Sequence, residues 1–146
     1  MKVVVLCNYP IMKFKNYVSI KYDMNVSAYW NYNLISTLAN RNNIEIHVVS
    51  AFHGLKMDAF FKYENVNHHF LKISKYKNLF SGYMHTHYRL LAEINRINPD
   101  LVAGIGTEHI YAYTAVNSNY KHVITIHGIM KNVIKAEDNF FTRNKY

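Results

Sequence analysis

Apolar runs bounded by turn residues predict five strands in this chain. The first run, residues 2–7, is continuous and ends before Pro10, a pattern typical of a central strand buried on both faces of a parallel sheet. Further apolar runs predict strands at 44–49, 69–73, 101–105 and 122–126. A polar, lysine-containing loop is expected after the first strand, up to about residue 26.

Apolar residues at helical spacing predict three helices between these strands. Ser27 is a suitable N-cap for the first helix, whose apolar positions are Trp30, Leu34, Ile35 and Leu38. A long helix is predicted over 79–97, before Pro99, with an apolar stripe of Phe80, Tyr83, Met84, His87, Leu91 and Ile94. A short helix is predicted over about 110–117.

The alternation of strands and helices predicts an α/β fold. We expect one doubly wound domain with a mostly parallel, Rossmann-like sheet and right-handed crossovers. A chain of 146 residues has the usual length of one domain. The segment 51–67 is ambiguous, since Phe60, Phe61 and Tyr63 fit either a short strand or a packed loop.

Charge and cysteine content narrow the classes of partner and compartment. The net charge of +8 favours anionic partners, but the basic residues are scattered and argue against nucleic acid. The single cysteine, Cys7, lies in an apolar run and is expected to be a small buried hydrophobe. A reducing, cytoplasmic environment is the corresponding expectation. No stretch approaches the roughly 20 apolar residues of a membrane span.

Open parallel sheets bind ligands outside the carboxyl ends of their strands. Three segments are expected there: 8–10, 104–109 and 127–128. His127 ends an apolar strand and can exchange a proton near neutral pH, while Gly128 allows close approach of a ligand. A histidine that merely caps the strand is an equal alternative. Glu108 and His109 form a second candidate pair, although Glu108 also suits the first turn of a helix for electrostatic reasons.

Two cofactor signals are weak. Gly104-x-Gly106-x-x-His109 lacks the third glycine of a dinucleotide fingerprint and follows the fourth strand, so a tight strand-to-helix turn is favoured. The neighbouring pairs His68–His69 and His85–His87 point to different faces of their elements and do not suit a shared ion. No metal and no resident cofactor are expected.

Three segments carry a resemblance to a known family. They are 98–109 (NPDLVAGIGTEH), 111–115 (YAYTA) and 122–129 (HVITIHGI), supported by 1–10 and 38–50. Together they resemble the N-terminal domain of family 4 glycosyltransferases, which have the two-domain GT-B architecture. The resemblance covers about residues 1–135 and implies that 1–146 is the acceptor-side domain.

The resemblance implies retaining transfer of a sugar from a nucleotide-sugar co-substrate to a sugar or lipid-linked acceptor. Cell-surface polysaccharide or glycolipid synthesis is the implied setting, without a metal. Carried over by position, His127 would be the catalytic residue in the interdomain cleft. The implied substrate-binding residues are Gly128, Glu108, His109, Thr107, Asn8, Tyr9 and Ser27.

Two departures from the family pattern qualify these expectations. Residues 25–27 stand near the place of a Gly-Gly pair that approaches donor phosphate, so that contact is in doubt. No two glutamates lie eight positions apart, so we expect the C-terminal nucleotide-sugar domain to be absent and the isolated chain to be inactive. Peripheral attachment to the inner membrane face suits a lipid-linked acceptor. The alternative function is a non-catalytic module for a phosphorylated ligand or a protein partner.

Overall fold

A six-stranded, mostly parallel sheet forms the centre of the molecule. The computed structural model describes residues 1–22, 24, 28–106 and 110–126. In this part of the chain the strand order is β3-β4-β2-β1-β5-β6. The strands are β1 (Lys2–Leu6), β2 (Glu45–Phe52), β3 (Ala59–Tyr63), β4 (Val66–Lys72), β5 (Leu101–Ile105) and β6 (His122–Thr125). The α/β class and all five predicted strands are confirmed.

The sixth strand comes from the segment whose sequence was ambiguous. β3 pairs antiparallel with β4, whereas the other four strand pairs are parallel. Glu64 and Asn65 join β3 to β4, and both have positive φ angles, 47° and 61°. A two-residue turn with two left-handed residues matches the twist of a β-hairpin. The hairpin adds an antiparallel edge strand to the parallel sheet.

Helices cover both faces of the sheet. The α-helices among the described residues are α1 (Tyr29–Ala39), α2 (Lys75–Ser81), α3 (Met84–Ile97) and α4 (Ile110–Val116). One core joins alternate residues of β1 and β2 to Ile35 of α1. A second core, on the other face, joins the intervening strand residues to Leu90 of α3 and Ala115 of α4. This three-layer arrangement is the doubly wound one that the sequence predicted.

The predicted long helix over 79–97 is wrong, because two helices occupy that stretch. The Ser74 side chain accepts a hydrogen bond from the Lys77 amide and begins α2 earlier than predicted. Gly82, with φ of 57°, ends α2 in the left-handed conformation that glycine adopts without strain. The chain therefore changes direction before α3 begins.

The predicted apolar stripe of the long helix is only partly right, since His87 and Ile94 are its buried members. Phe80 and Tyr83 are exposed, and α3 buries Thr86, His87, Leu90, Glu93, Ile94 and Ile97. Because α2 and α3 have different axes, one helical period cannot relate their side chains. Asn98 leaves the right-handed helical region at φ of 52°, as the following proline predicts.

α1 is rotated from its predicted orientation. Trp30, Leu34 and Leu38 are exposed, while Asn31, Ile35 and Ala39 are buried. The Asn31 amide donates a hydrogen bond to the Asn8 carbonyl oxygen at 2.7 Å, which holds a polar residue inward. Ala28 occupies the N-cap position, one residue later than predicted, and Ser27 lies outside the described residues.

The residues after β1 confirm the prediction that Cys7 is buried and correct the prediction of a polar loop. Cys7 is a fully buried free cysteine, and burial raises the pKa of its thiol. A 3₁₀ turn spans Ile11–Phe14 and buries both of these residues. The segment after β1 is therefore part of the core at its start. No helix among the described residues has the length and hydropathy to cross a bilayer.

Candidate functional site

The order in which the chain adds parallel strands to the sheet reverses beside β1. β1 lies between β2, which follows it by one crossover, and β5, which comes after the chain has returned across the sheet. The crevice at the carboxyl ends of strands on either side of such a switch point is the usual ligand position in open α/β sheets. We therefore expect a ligand to bind at the edge beyond Leu6, Phe52 and Ile105.

A cavity of about 700 Å³ occupies this edge. This volume is within the usual range of small-molecule sites. Its wall comes from the ends of β1, β2 and β4, from α2 and the turn into α3, and from the start of α4. The lining residues are Asn8, Tyr22, Met24, Ala51, Phe52, His53, Ile73, Asn78, Gly82, Tyr83, Thr86, Ile110, Tyr111 and Tyr113.

Asn78 presents an unpaired amide in this wall. Its side-chain oxygen accepts hydrogen bonds from the Thr86 amide at 3.1 Å and the Thr86 hydroxyl at 2.8 Å. Its Nδ2 is buried and has no hydrogen-bond partner among the described residues. A buried unpaired donor is unfavourable, so this amide has hydrogen-bonding capacity left for a further partner.

The cavity is rich in aromatic and neutral polar groups. The Tyr111 hydroxyl accepts a hydrogen bond from the Ala51 amide at 3.2 Å, and burial raises the pKa of this phenol. Burial, with a smaller contribution from Lys75, lowers the pKa of His53 and favours its neutral imidazole. None of the described lining residues is Lys, Arg, Asp or Glu. The described part of the wall thus offers hydrogen bonds and ring faces without a formally charged side chain of these four types.

Two of the eight predicted site residues lie in the described part of the chain. Asn8 lines the cavity, and its backbone oxygen is held by Asn31. Tyr9 is fully buried and stacks on Phe14 with ring centroids 5.8 Å apart, so its ring faces the core. The remaining candidates fall outside the described residues: Ser27, Thr107, Glu108, His109, His127 and Gly128. The roles given to all eight stay predictions.

Most of the aromatic wall was missed by sequence reasoning. Tyr83 lay within the stretch predicted as a continuous helix, where Gly82 was the available sign of a break, and Asn78 lay just before that stretch without a predicted role. Tyr111 and Tyr113 were noted only within the family resemblance. Residues two apart on a helix do not share a face. Here Tyr111 is buried under the cavity while Tyr113 is exposed at its edge.

Gly104 has a packing function in the described structure. A side-chain carbon at this position would lie 3.1 Å from the Cα atom of Ala112 and 2.9 Å from the Ile124 side chain. The glycine therefore lets α4 pack closely on β5. This close contact fixes the start of α4, from which Tyr111 and Tyr113 reach the cavity.

A second polar cluster lies away from the cavity, between β2, β4 and α3. His69 contacts His47 at 2.9 Å and Glu93 at 2.6 Å, and Arg96 also pairs with Glu93. Burial opposes the charge of Glu93, but its hydrogen bonds to His69 and Arg96 lower its pKa to about 2. Within the described ranges, no three His, Cys, Asp or Glu residues are grouped to hold a metal ion.

Comparison of this chain with protein-family models, curated proteins and solved structures gives no match.

Proposed function

We propose that this chain is the acceptor-binding, N-terminal domain of a GT-B glycosyltransferase, and that the described cavity receives the acceptor sugar. The proposal combines the resemblance of 98–129 to family 4 enzymes with the position of the cavity at the switch point of a Rossmann-like sheet. The reaction is transfer of a sugar from a nucleotide-sugar to that acceptor.

The chemistry of the cavity wall is the observation that supports the proposal best. A sugar ring has an apolar face of C–H groups and a rim of hydroxyl groups. Tyr83 and Tyr113 supply aromatic surface with a polar tip, and Asn78 supplies the unpaired donor for a sugar hydroxyl. Aromatic faces combined with neutral hydrogen-bonding groups suit such a ligand.

The acceptor group in the cavity is uncharged in this proposal. Phosphate is usually bound by Arg, Lys or backbone amides, and the described lining residues include neither basic type. The net charge of +8 acts outside the cavity. A phosphate carried by the acceptor therefore lies beyond the sugar that fills the cavity.

The donor side of the reaction is assigned by sequence position. Thr107, Glu108 and His109 begin two positions after the end of β5, and His127 and Gly128 begin two positions after the end of β6. Carboxyl ends of parallel strands share one edge of a sheet. In the proposal these residues adjoin the cavity on its donor side, with His127 beside the reacting sugar.

Two tyrosine variants test the sugar site. Tyr113 lines the cavity, whereas Tyr88 does not; both rings are exposed and both contact His87, with centroids 5.1 Å and 5.2 Å from it. Saturation-transfer NMR and calorimetry with a panel of neutral methyl glycosides would measure binding. Tyr113→Ala is expected to weaken binding about tenfold, because aromatic contact area is lost.

The control variant, Tyr88→Ala, should bind the same glycosides as tightly as the unmodified chain. Equal affinity of all three proteins, or tighter binding of sugar phosphates than of neutral glycosides, would contradict the proposed site.

A further inference from the structure

α2 carries the most exposed large apolar side chains in the described part of the chain. Phe80 is 87% exposed, Tyr76 75% and Leu79 74%. Tyr83, which lies just after the helix, is 58% exposed. We name these four residues the α2 apolar surface. Tyr76, Leu79 and Phe80 are spaced three and four residues apart, so they share one side of the helix.

This surface is unfavourable in water. α2 buries only Asn78, which lines the cavity on the opposite side of the helix. Contiguous exposed apolar side chains of this size mark interaction surfaces in soluble folds. Within the described residues, nothing covers the tips of Leu79 and Phe80.

Basic residues flank the α2 apolar surface. Lys72, Lys75 and Lys77 are exposed, and the helix contains no acidic residue. The nearby Asp58 carboxylate is neutralised by Arg89 at 2.6 Å. The exposed apolar stripe of α1, formed by Trp30, Leu34 and Leu38, differs in this respect, because α1 contains no charged residue.

We propose that the α2 apolar surface and its flanking lysines contact an anionic lipid bilayer. Helices that lie in the membrane interface combine large apolar or aromatic side chains, as tyrosine, leucine and phenylalanine are here, with lysine. The lysines meet anionic headgroups, and the apolar tips enter the boundary between headgroups and acyl chains. The charge pattern thus selects a lipid surface over a neutral protein groove.

Vesicle co-sedimentation of the full chain tests this contact. The chain should bind vesicles of phosphatidylglycerol and phosphatidylcholine, bind pure phosphatidylcholine vesicles much less, and lose binding as salt is raised. Leu79→Ser/Phe80→Ser should weaken binding at least tenfold. Lys75→Gln/Lys77→Gln should weaken it by about fivefold per lysine.

The matched control is Leu34→Ser/Leu38→Ser, which removes exposed apolar side chains from α1. This variant should bind vesicles like the unmodified chain, and thermal unfolding should show that all variants fold. Vesicle binding that is absent, or equally reduced by both serine pairs, would overturn the proposal. So would concentration-dependent self-association, measured without vesicles, that only Leu79→Ser/Phe80→Ser removes. The assay contains no sugar, so its failure leaves the acceptor site untouched.

Discussion

At the scale of single residues, the position of His68 is unfavourable for a charge. It is 1% exposed and lies against aromatic rings on β4 and its neighbours, with Phe14 at 4.8 Å and Phe61 at 4.9 Å between centroids. Burial lowers the pKa of His68 to about 4. The folded protein therefore holds this histidine neutral, while the unfolded chain protonates it near pH 6.5.

The difference in pKa makes folding stability depend on pH. Between pH 6.5 and about 4 the unfolded state binds the extra proton, so acidification across this window favours unfolding. His68 should cost on the order of 3 kcal/mol of stability by pH 4. Chemical denaturation of His68→Phe at several pH values should show a flatter profile in this window.

His122→Ala is the control for that profile, because His122 is exposed on β6. It should keep the slope of the unmodified chain. The carboxyl of Glu93, whose pKa is about 2, causes its own loss of stability below pH 4.5. An unchanged slope in His68→Phe would show that other histidines govern the acid response.

The positions of some single residues could be predicted from the sequence. Cys7 was placed in the core from its apolar neighbours, and Asn8 was placed at the ligand edge because a buried strand ends just before it. Asn78 could not be found in this way. Its cavity position depends on the direction change at Gly82 and on its bond to Thr86, which are contacts between elements.

At the scale of elements, the strands were easier to predict than the helix faces. Strands buried on both faces give continuous apolar runs such as 2–7, and these need no choice of orientation. For a helix, by contrast, the prediction must choose which face is buried. On α1, the bond from Asn31 to Asn8 turns Trp30 and Leu34 outward, whereas apolar spacing alone had placed both on the buried face.

The contact between α4 and β5 provides a test at this scale. Gly104→Ala places a methyl group 3.1 Å from the Ala112 backbone, so the helix must shift. We expect about 1–3 kcal/mol of destabilisation, as for other overpacked cores, measured by urea unfolding. Gly54→Ala is the control, because the three atoms nearest its added carbon all belong to the flexible Met24 side chain and none to the backbone.

If Gly54→Ala lowers the free energy of unfolding as much as Gly104→Ala does, the close contact between α4 and β5 is not the cause of the destabilisation. Because α4 supplies Tyr111 and Tyr113, Gly104→Ala should also weaken glycoside binding if the acceptor site is correct.

At the scale of the whole molecule, the two proposals share α2. Asn78 faces the cavity, Leu79 and Phe80 carry the bilayer contact, and Tyr83 belongs to both surfaces. If both proposals hold, the cavity opens beside the lipid surface. An acceptor sugar anchored to a lipid then reaches the wall without leaving the membrane.

The proposed transferase makes a prediction about His127. In the active enzyme that contains this domain, His127→Ala should lower kcat strongly, by at least a hundredfold for a group that transfers a proton or positions the reacting sugar. The fold should be unchanged by circular dichroism. His122→Ala, at the opposite end of β6, should keep near-normal turnover, and near-normal turnover of His127→Ala would assign His127 to capping the strand.

The β3–β4 hairpin has a consequence for the kinetics of folding. Its tight turn at Glu64 and Asn65 joins strands that are neighbours in sequence, so it can form within microseconds. The parallel pairs need crossovers, and the pairing of Val3 with Leu101 closes most of the chain into one loop. The folding rate is therefore set by the centre of the sheet, while its antiparallel edge is ready first.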